Sequence, residues 1–330
     1  IKFCLECLEK SRLSCHDPKF IMKYAIIFPG QGSQSLGMLS ELADHFSIVK
    51  DTFNEASDAL GFDLWKLTQE DQEALNQTQN TQPAMLAAGY ATYKVLTSQS
   101  DLSPVCMAGH SLGEYTALVA SGALGFSDAI KLVRTRAQLM QSAVPEGVGA
   151  MAAILGLDDE VVVKVCHDYA GEGIVQAVNF NSNGQVVIAG NKAAVDATCE
   201  AMKAAGAKRA VVLPVSVPSH CSLMDDAAGE FKRAVDALDF NMGSVDVLHN
   251  VDASKAADIN EMKAKLVAQL HKPVLWTGTV RAMHAMGVEK LIEAGPGKVL
   301  AGLTRRIEKS LTANAVLDSA GVASALEEIK

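Results

Sequence analysis

Val105-Cys106-Met107-Ala108-Gly109-His110-Ser111-Leu112-Gly113-Glu114-Tyr115 is the stretch that decides the fold. Residues 105–108 form a short apolar run that reads as a strand and leads straight into Gly109. Residues 114–124 carry helical spacing. A strand, a tight Gly-x-Ser-x-Gly turn and a helix in succession are the setting of a nucleophile elbow. The glycines allow a sharp turn that pushes the serine side chain out over the sheet edge. Backbone N–H groups and the dipole of the following helix then favour negative charge at Ser111. The plainer reading of the same residues is a Gly-rich turn capped by serine.

Working outward, residues 24–28 read as a buried strand closed by Pro29-Gly30, followed by a Gly/Gln/Ser loop to Gly37. Helical patterns run to about Leu96, and residues 127–141 form a helix with Asp128 at its positive end. Residues 149–217 read differently. Strands at 150–155, 174–179, 185–189 and 210–217 alternate with helices at 158–169 and 192–205, and Asn181-Ser182-Asn183-Gly184 marks the turn between the middle two strands. The order β-α-β-β-α-β is the ferredoxin-like pattern. Beyond it come a loop at Pro218-Ser219-His220, a helix at 223–238, a strand at 245–250 and helices at 259–270 and 277–286. A strand at 289–293, the turn Gly295-Pro296-Gly297 and a helix at 298–309 follow. Strands alternating with helices imply a mainly parallel sheet covered on both faces. The expected fold is therefore α/β: a parallel sheet flanked by helices, a hydrolase-like core, with an inserted ferredoxin-like α+β subdomain. The expected division is 22–148 plus 218–330 for the large domain and 149–217 for the small one.

Residues 1–21 look foreign to this fold, mixed in charge and rich in cysteine, and are expected to be a non-native leader with Met22 as the native start. Cys4 and Cys7 make a lone C-x-x-C, with no second pair to complete a zinc site. The seven cysteines are scattered and odd in number, which favours reduced thiols in a cytoplasmic protein. No run has the length of a membrane-spanning helix. With 49% hydrophobic residues the chain can bury a large core, and a formal net charge of −9 speaks against nucleic acid as a partner.

A serine hydroxyl needs a base to take its proton. Among eight histidines, His45, His167 and His284 sit in helical patterns, and His249 lies within a strand and His271 at a helix end. His110, next to Ser111 on a tight turn, is expected to point away and pack beneath the site. His220 follows a strand end and a proline-containing loop, where open α/β sheets place their active-site residues. An orienting group for its ring remains open: Asp225, Asp226 and Asp252 are available, and a backbone carbonyl can do the same work. Glu114 reads as an ordinary first-turn acid. Gly295-Pro296-Gly297-Lys298 lacks the spacing of a P-loop and reads as a turn packed beside the site.

Taken together, five motifs in order resemble the bacterial malonyl-CoA:acyl-carrier-protein transacylases of type II fatty acid synthesis. They are Phe28-Pro29-Gly30-Gln31-Gly32-Ser33-Gln34, Gly109-His110-Ser111-Leu112-Gly113-Glu114-Tyr115, Val178-Asn179-Phe180-Asn181, Val215-Ser216-Val217-Pro218-Ser219-His220 and Glu293-Ala294-Gly295-Pro296-Gly297-Lys298. The resemblance runs from about Met22 to the C-terminus. It implies Ser111 as the acylated nucleophile and His220 as its base, with the main-chain carbonyl of Gln269 orienting the ring. It further implies the backbone N–H groups of Gln31 and Leu112 as the oxyanion hole, and Gln82 and Asn181 near the substrate pocket. Arg136 matches the residue that pairs with the malonyl carboxylate. A planar guanidinium suits that task, because it holds a carboxylate bidentately and stays charged. Without the resemblance, Arg136 and its neighbour Arg134 read as surface helix arginines.

The activity so implied is ping-pong transfer of malonyl from malonyl-CoA to the phosphopantetheine thiol of acyl carrier protein. It needs no metal and no redox cofactor, and the protein is expected to be a cytoplasmic monomer that binds neither nucleic acid nor membrane. Lys208-Arg209 and Arg305-Arg306 are candidates for docking an acidic carrier protein, and solvated surface charge is the plainer reading of each pair. Two rivals share the scaffold. A serine hydrolase would admit water to the same serine, but Arg136 does not suit a neutral ester and no patatin-type D-G-G or D-G-A element is present. A non-catalytic binding scaffold would be expected to have lost Ser111 or His220.

Overall fold

The computed structural model describes residues 22–215 and 217–329. The expected leader at 1–21, with Cys4, Cys7 and His16, lies outside the described residues, as does Ser216.

Among the described residues nine strands form two sheets: β1 Tyr24–Phe28, β2 Cys106–Gly109, β3 Gly149–Leu155, β4 Val175–Ser182, β5 Gln185–Asn191, β6 Arg209–Val212, β7 Val247–Leu248, β8 Lys290–Ala294 and β9 Thr312–Val316. The larger sheet has the order β7-β2-β1-β8-β9, and its pairings are all parallel. Its central strand is apolar on both faces because both are covered. Ile26 and Phe28 enter one core with the helices Thr78–Gln99 and Phe126–Ser142. Ala25 and Ile27 enter a second core with Trp276, Val280 and Met283 of the helix Trp276–Ala285. Alternation of side chains along a strand makes this division inevitable once helices lie on both sides.

The second sheet has the order β4-β5-β3-β6 with antiparallel pairing throughout, the ferredoxin-like arrangement. One face packs Ala150, Ala152, Ile154 and Ile188 under the helices Asp159–His167 and Lys192–Ala204. The other face sets Met151, Val187 and Ala189 against Cys221, the residue after His220. Main-chain bonds join the two sheets' surroundings: Phe180 N–H donates to Val274 O at 3.0 Å and Val274 N–H to Val178 O at 2.8 Å. The loop carrying His220 is held on both sides, by Cys221 against the smaller sheet and by His220 N–H on Leu270 O.

Four elements differ most from expectation. Strand β6 ends at Val212 rather than 217, because Pro214 lacks the N–H that a ladder needs. Strand β7 is only Val247–Leu248, an edge strand pairing with Met107 and Ala108. Past Lys309, where no element is expected, β9 and the helix Ser319–Glu328 complete the chain. β9 is an edge strand that buries only Val316 fully, so Thr312-Ala313-Asn314-Ala315 carries no apolar run to announce it.

The described cysteines Cys106, Cys166, Cys199 and Cys221 are buried and unbridged. Burial pushes the Cys106 and Cys166 thiols up to about 12, so they are inert fillers of the core.

Candidate active site

The turn at Ser111 is built by backbone crowding. A side chain on Gly109 would meet Gly113 C at 1.9 Å, and one on Gly113 would meet Phe28 O at 2.1 Å. Only glycine fits either place. Ser111 itself is held at φ 50°, a left-handed conformation a serine seldom adopts. Asn250, just past β7, ties the turn down: its Oδ1 accepts from Ser111 N–H at 2.7 Å and its Nδ2 donates to Gly109 O at 2.7 Å.

His220 meets the serine from a second strained position, φ 66°, fixed by its N–H donating to Leu270 O at 2.9 Å. Its Nδ1 donates to Gln269 O at 2.6 Å, so Nε2 carries the lone pair, and Nε2 lies 2.8 Å from Ser111 Oγ. The serine hydroxyl therefore donates to the imidazole. His220 is 3% exposed, and burial first, then the charge of Arg136, push its pKa down to about 3. The ring is neutral and ready to accept a proton. None of the three candidate acids is its partner: Asp225 bonds His271 at 2.5 Å and Asp252 bonds Lys265 at 2.9 Å.

Arg136 is 1% exposed, not on the surface. Nη1 donates to Gln82 Oε1 at 2.8 Å, and Nη2 donates to Gln269 Oε1 at 2.9 Å and to Ser111 Oγ at 3.3 Å. Its Nε is buried with no partner among the described residues, and the guanidinium carbon lies 5.3 Å from the centre of the Tyr115 ring. Burial works against its charge, and Tyr115 and Glu114 act the other way.

These groups line a cavity of about 140 Å³, to which Gln31, Leu112, Ser111, Arg136 and His220 all contribute. The N–H groups of Gln31 and Leu112 bond no protein acceptor among the described residues. The Gly295-Pro296-Gly297 turn lies against Pro29 and Ser33, on either side of Gln31. Asn181 reaches the site through His110, whose Nε2 is 2.8 Å from Asn181 Oδ1, while Asn179 is in the cavity wall.

Two expectations are corrected. His110 does not lie beneath the site but lines the cavity beside Ser111, because its bond to Asn181 on β4 draws the ring toward the smaller sheet. Glu114 is not an ordinary first-turn acid. It is fully buried and accepts from His249 Nδ1 at 2.7 Å, Asn250 N–H at 2.9 Å and Gln269 Nε2 at 2.8 Å. Asn250 and the Gln269 side chain carry no sequence signal of their own; the one available hint was a carboxylate placed directly after the nucleophile motif. Among the described residues no three His, Cys, Asp or Glu side chains cluster to hold a metal, and no helix is long and apolar enough to cross a membrane.

Residues 25–325 match the family model of the acyl transferase domain. The chain is 53% identical over 306 residues to the malonyl CoA-acyl carrier protein transacylase of Escherichia coli K12, covering 92% of this chain and 99% of that one. It is 43% identical to the corresponding protein of Bacillus subtilis, over 93% and 98%. Among solved structures, an acyl carrier protein S-malonyltransferase from Vibrio cholerae superposes with a TM-score of 0.90 at 54% identity, over 92% and 99% of the two chains. A malonyl-transacylase in complex with a type II PKS acyl-carrier protein gives 0.91 at 51%, over 93% and 99%. With its elbow, its buried guanidinium and this likeness over nearly the whole length, the chain belongs to the malonyl CoA-acyl carrier protein transacylase family.

Proposed function

We propose that this protein transfers malonyl from malonyl-CoA to the phosphopantetheine thiol of acyl carrier protein through malonyl-Ser111. One observation carries the reading: the Ser111 hydroxyl touches a neutral imidazole acceptor at 2.8 Å and a buried guanidinium at 3.3 Å. The first activates a nucleophile, and the second suits an acyl group that ends in a carboxylate.

In the first half-reaction the malonyl carboxylate takes the free Nε–H of Arg136 and the weakly held Nη2–H. Ser111 Oγ attacks the thioester carbon as its proton passes to His220 Nε2. The negative oxygen rests on the Gln31 and Leu112 N–H groups, donors of a kind that supply about 3 kcal/mol each. The C–S bond breaks and His220 returns the proton to the departing CoA thiolate. In the second half-reaction the carrier's thiol gives its proton to His220 and attacks malonyl-Ser111, and the steps reverse. The Gln269 carbonyl holds the imidazole through both halves. Gln82 holds Arg136, and Asn181 holds His110 in the wall.

No step needs a metal or redox cofactor. The protein acts as a cytoplasmic monomer in this reading, with the exposed Arg305 and Arg306, or Lys208 and Arg209, available to an acidic carrier. The test is intact-mass measurement after brief mixing with malonyl-CoA. A malonyl adduct on the wild type and none on Ser111→Ala, discharged by holo-carrier protein faster than by water, is expected. No adduct points to a binding scaffold, and one lost equally fast to water points to a hydrolase.

A further inference from the structure

Glu114, which the cycle above does not use, sits at the hub of a buried polar cluster. Its two oxygens take three donors, from His249, Asn250 and Gln269. A carboxylate can only accept. It therefore requires the NH₂ end of the Gln269 amide to face it, and Ser111 O at 2.9 Å makes the same demand. The oxygen end of that amide is left turned to Arg136 Nη2, at 2.9 Å. A flipped amide would set its oxygen against two acceptors and its NH₂ against a cation. Glu114 thus fixes the Gln269 side chain, and that side chain with Gln82 fixes the guanidinium plane.

We propose that Glu114 is a positioning residue for acyl-group selectivity, acting through the Gln269 side chain on Arg136; this rests on the reading of Arg136 as the partner of the malonyl carboxylate. Gln269 then serves two tasks by separate atoms. Its main-chain carbonyl orients His220, and its side chain aims Arg136. A bidentate pair with a carboxylate needs a guanidinium held in one plane, whereas an acetyl group makes no such pair. Loss of the relay therefore falls on malonyl more than on acetyl.

The experiment measures kcat/KM for malonyl-CoA and acetyl-CoA, with their ratio as the readout. Gln269→Leu keeps the carbonyl and removes the amide, and lowers the ratio about tenfold or more. Glu114→Gln lowers it less, because an amide oxygen still accepts. The double variant has a ratio no lower than Gln269→Leu alone, since both changes cut one path. Gln269→Met replaces Gln269→Leu should the latter not fold. Equal loss of both rates, which a purely structural role produces, overturns the proposal, as do effects that multiply in the double variant. Arg136→Ala separates the two readings. A ratio unmoved there removes the assigned role of Arg136 and the relay with it. A ratio that collapses in Arg136→Ala but holds in the Gln269 variants removes the relay alone.

Discussion

Ser111 and Asn250, 139 positions apart in the chain, are joined by a 2.7 Å hydrogen bond from the serine N–H to the asparagine Oδ1. The same asparagine bonds Gly109 O from Nδ2, so one side chain clamps both arms of the turn. Asn250→Ala leaves the buried Gly109 carbonyl and the half-buried Ser111 N–H unpaired. It should destabilise the protein by ~2–4 kcal/mol and slow Ser111 acylation more than about tenfold. Denaturant melts and the rate of adduct formation check this; full stability or full acylation would show the clamp to be idle.

Arg136→Ala should cost malonyl transfer about a hundredfold or more while raising relative use of acetyl-CoA. Without the cation the larger cavity has nothing to pair a carboxylate. Competition between the two thioesters reads the outcome, and an unchanged preference contradicts the assignment.

His220, with its pKa pushed down to about 3, stays unprotonated throughout the ordinary range. The acylation rate should be flat from about pH 8 to pH 5, where a free imidazole would have titrated near 6.5. Arg136 supplies part of the depression, so Arg136→Ala should move the acid limb of its residual rate upward. Stability carries the same signature. Between about 6.5 and 3 the unfolded chain holds a proton on this ring that the native site refuses, so acidification through that window destabilises the fold. A rate that halves near pH 6.5 in the wild type refutes the depressed value.

Glu293 behaves in the opposite sense. Buried at the end of β8, it accepts from Leu300 and Ala301 N–H at 3.2 and 2.7 Å, and burial raises its pKa to about 7. Between 4.5 and 7 the native state binds the proton more readily than the unfolded chain does, so its contribution weakens as pH rises through that window. The Tm of Glu293→Gln relative to wild type should therefore rise from pH 5 to pH 8. A constant difference excludes titration in this range.

Gly109→Ala and Gly113→Ala each place a methyl group against backbone that cannot retreat. Each should cost upwards of about 3 kcal/mol or prevent folding, measured by Tm and soluble yield. Normal stability in either would mean that the turn can relax.

The parts of the fold legible in the sequence are those where local pattern and burial agree. The apolar run of β1 announces a strand covered on both faces, and the order of elements from β3 to β6 announces the smaller sheet. β9 is silent because an edge strand needs no apolar face. The contacts of His220 were legible as far as its loop and, through family likeness, the Gln269 carbonyl. Glu114 was not, since a first-turn acid looks the same whether solvent or three buried donors surround it. Asn250 and the Gln269 amide work through contacts across long separations in the chain, which no local spacing records.

The parallel sheet carries one further consequence, for the time course of synthesis. Its central strand β1 pairs with β8, Tyr24 opposite Lys290. A ribosome must therefore deliver most of the polypeptide before the first strand has both neighbours. Until then the apolar edge of β1 stands open to any other chain. Such non-local pairing folds slowly and exposes the nascent protein to aggregation, so dependence on chaperones, rather than intrinsic weakness, is the expected bottleneck in its production.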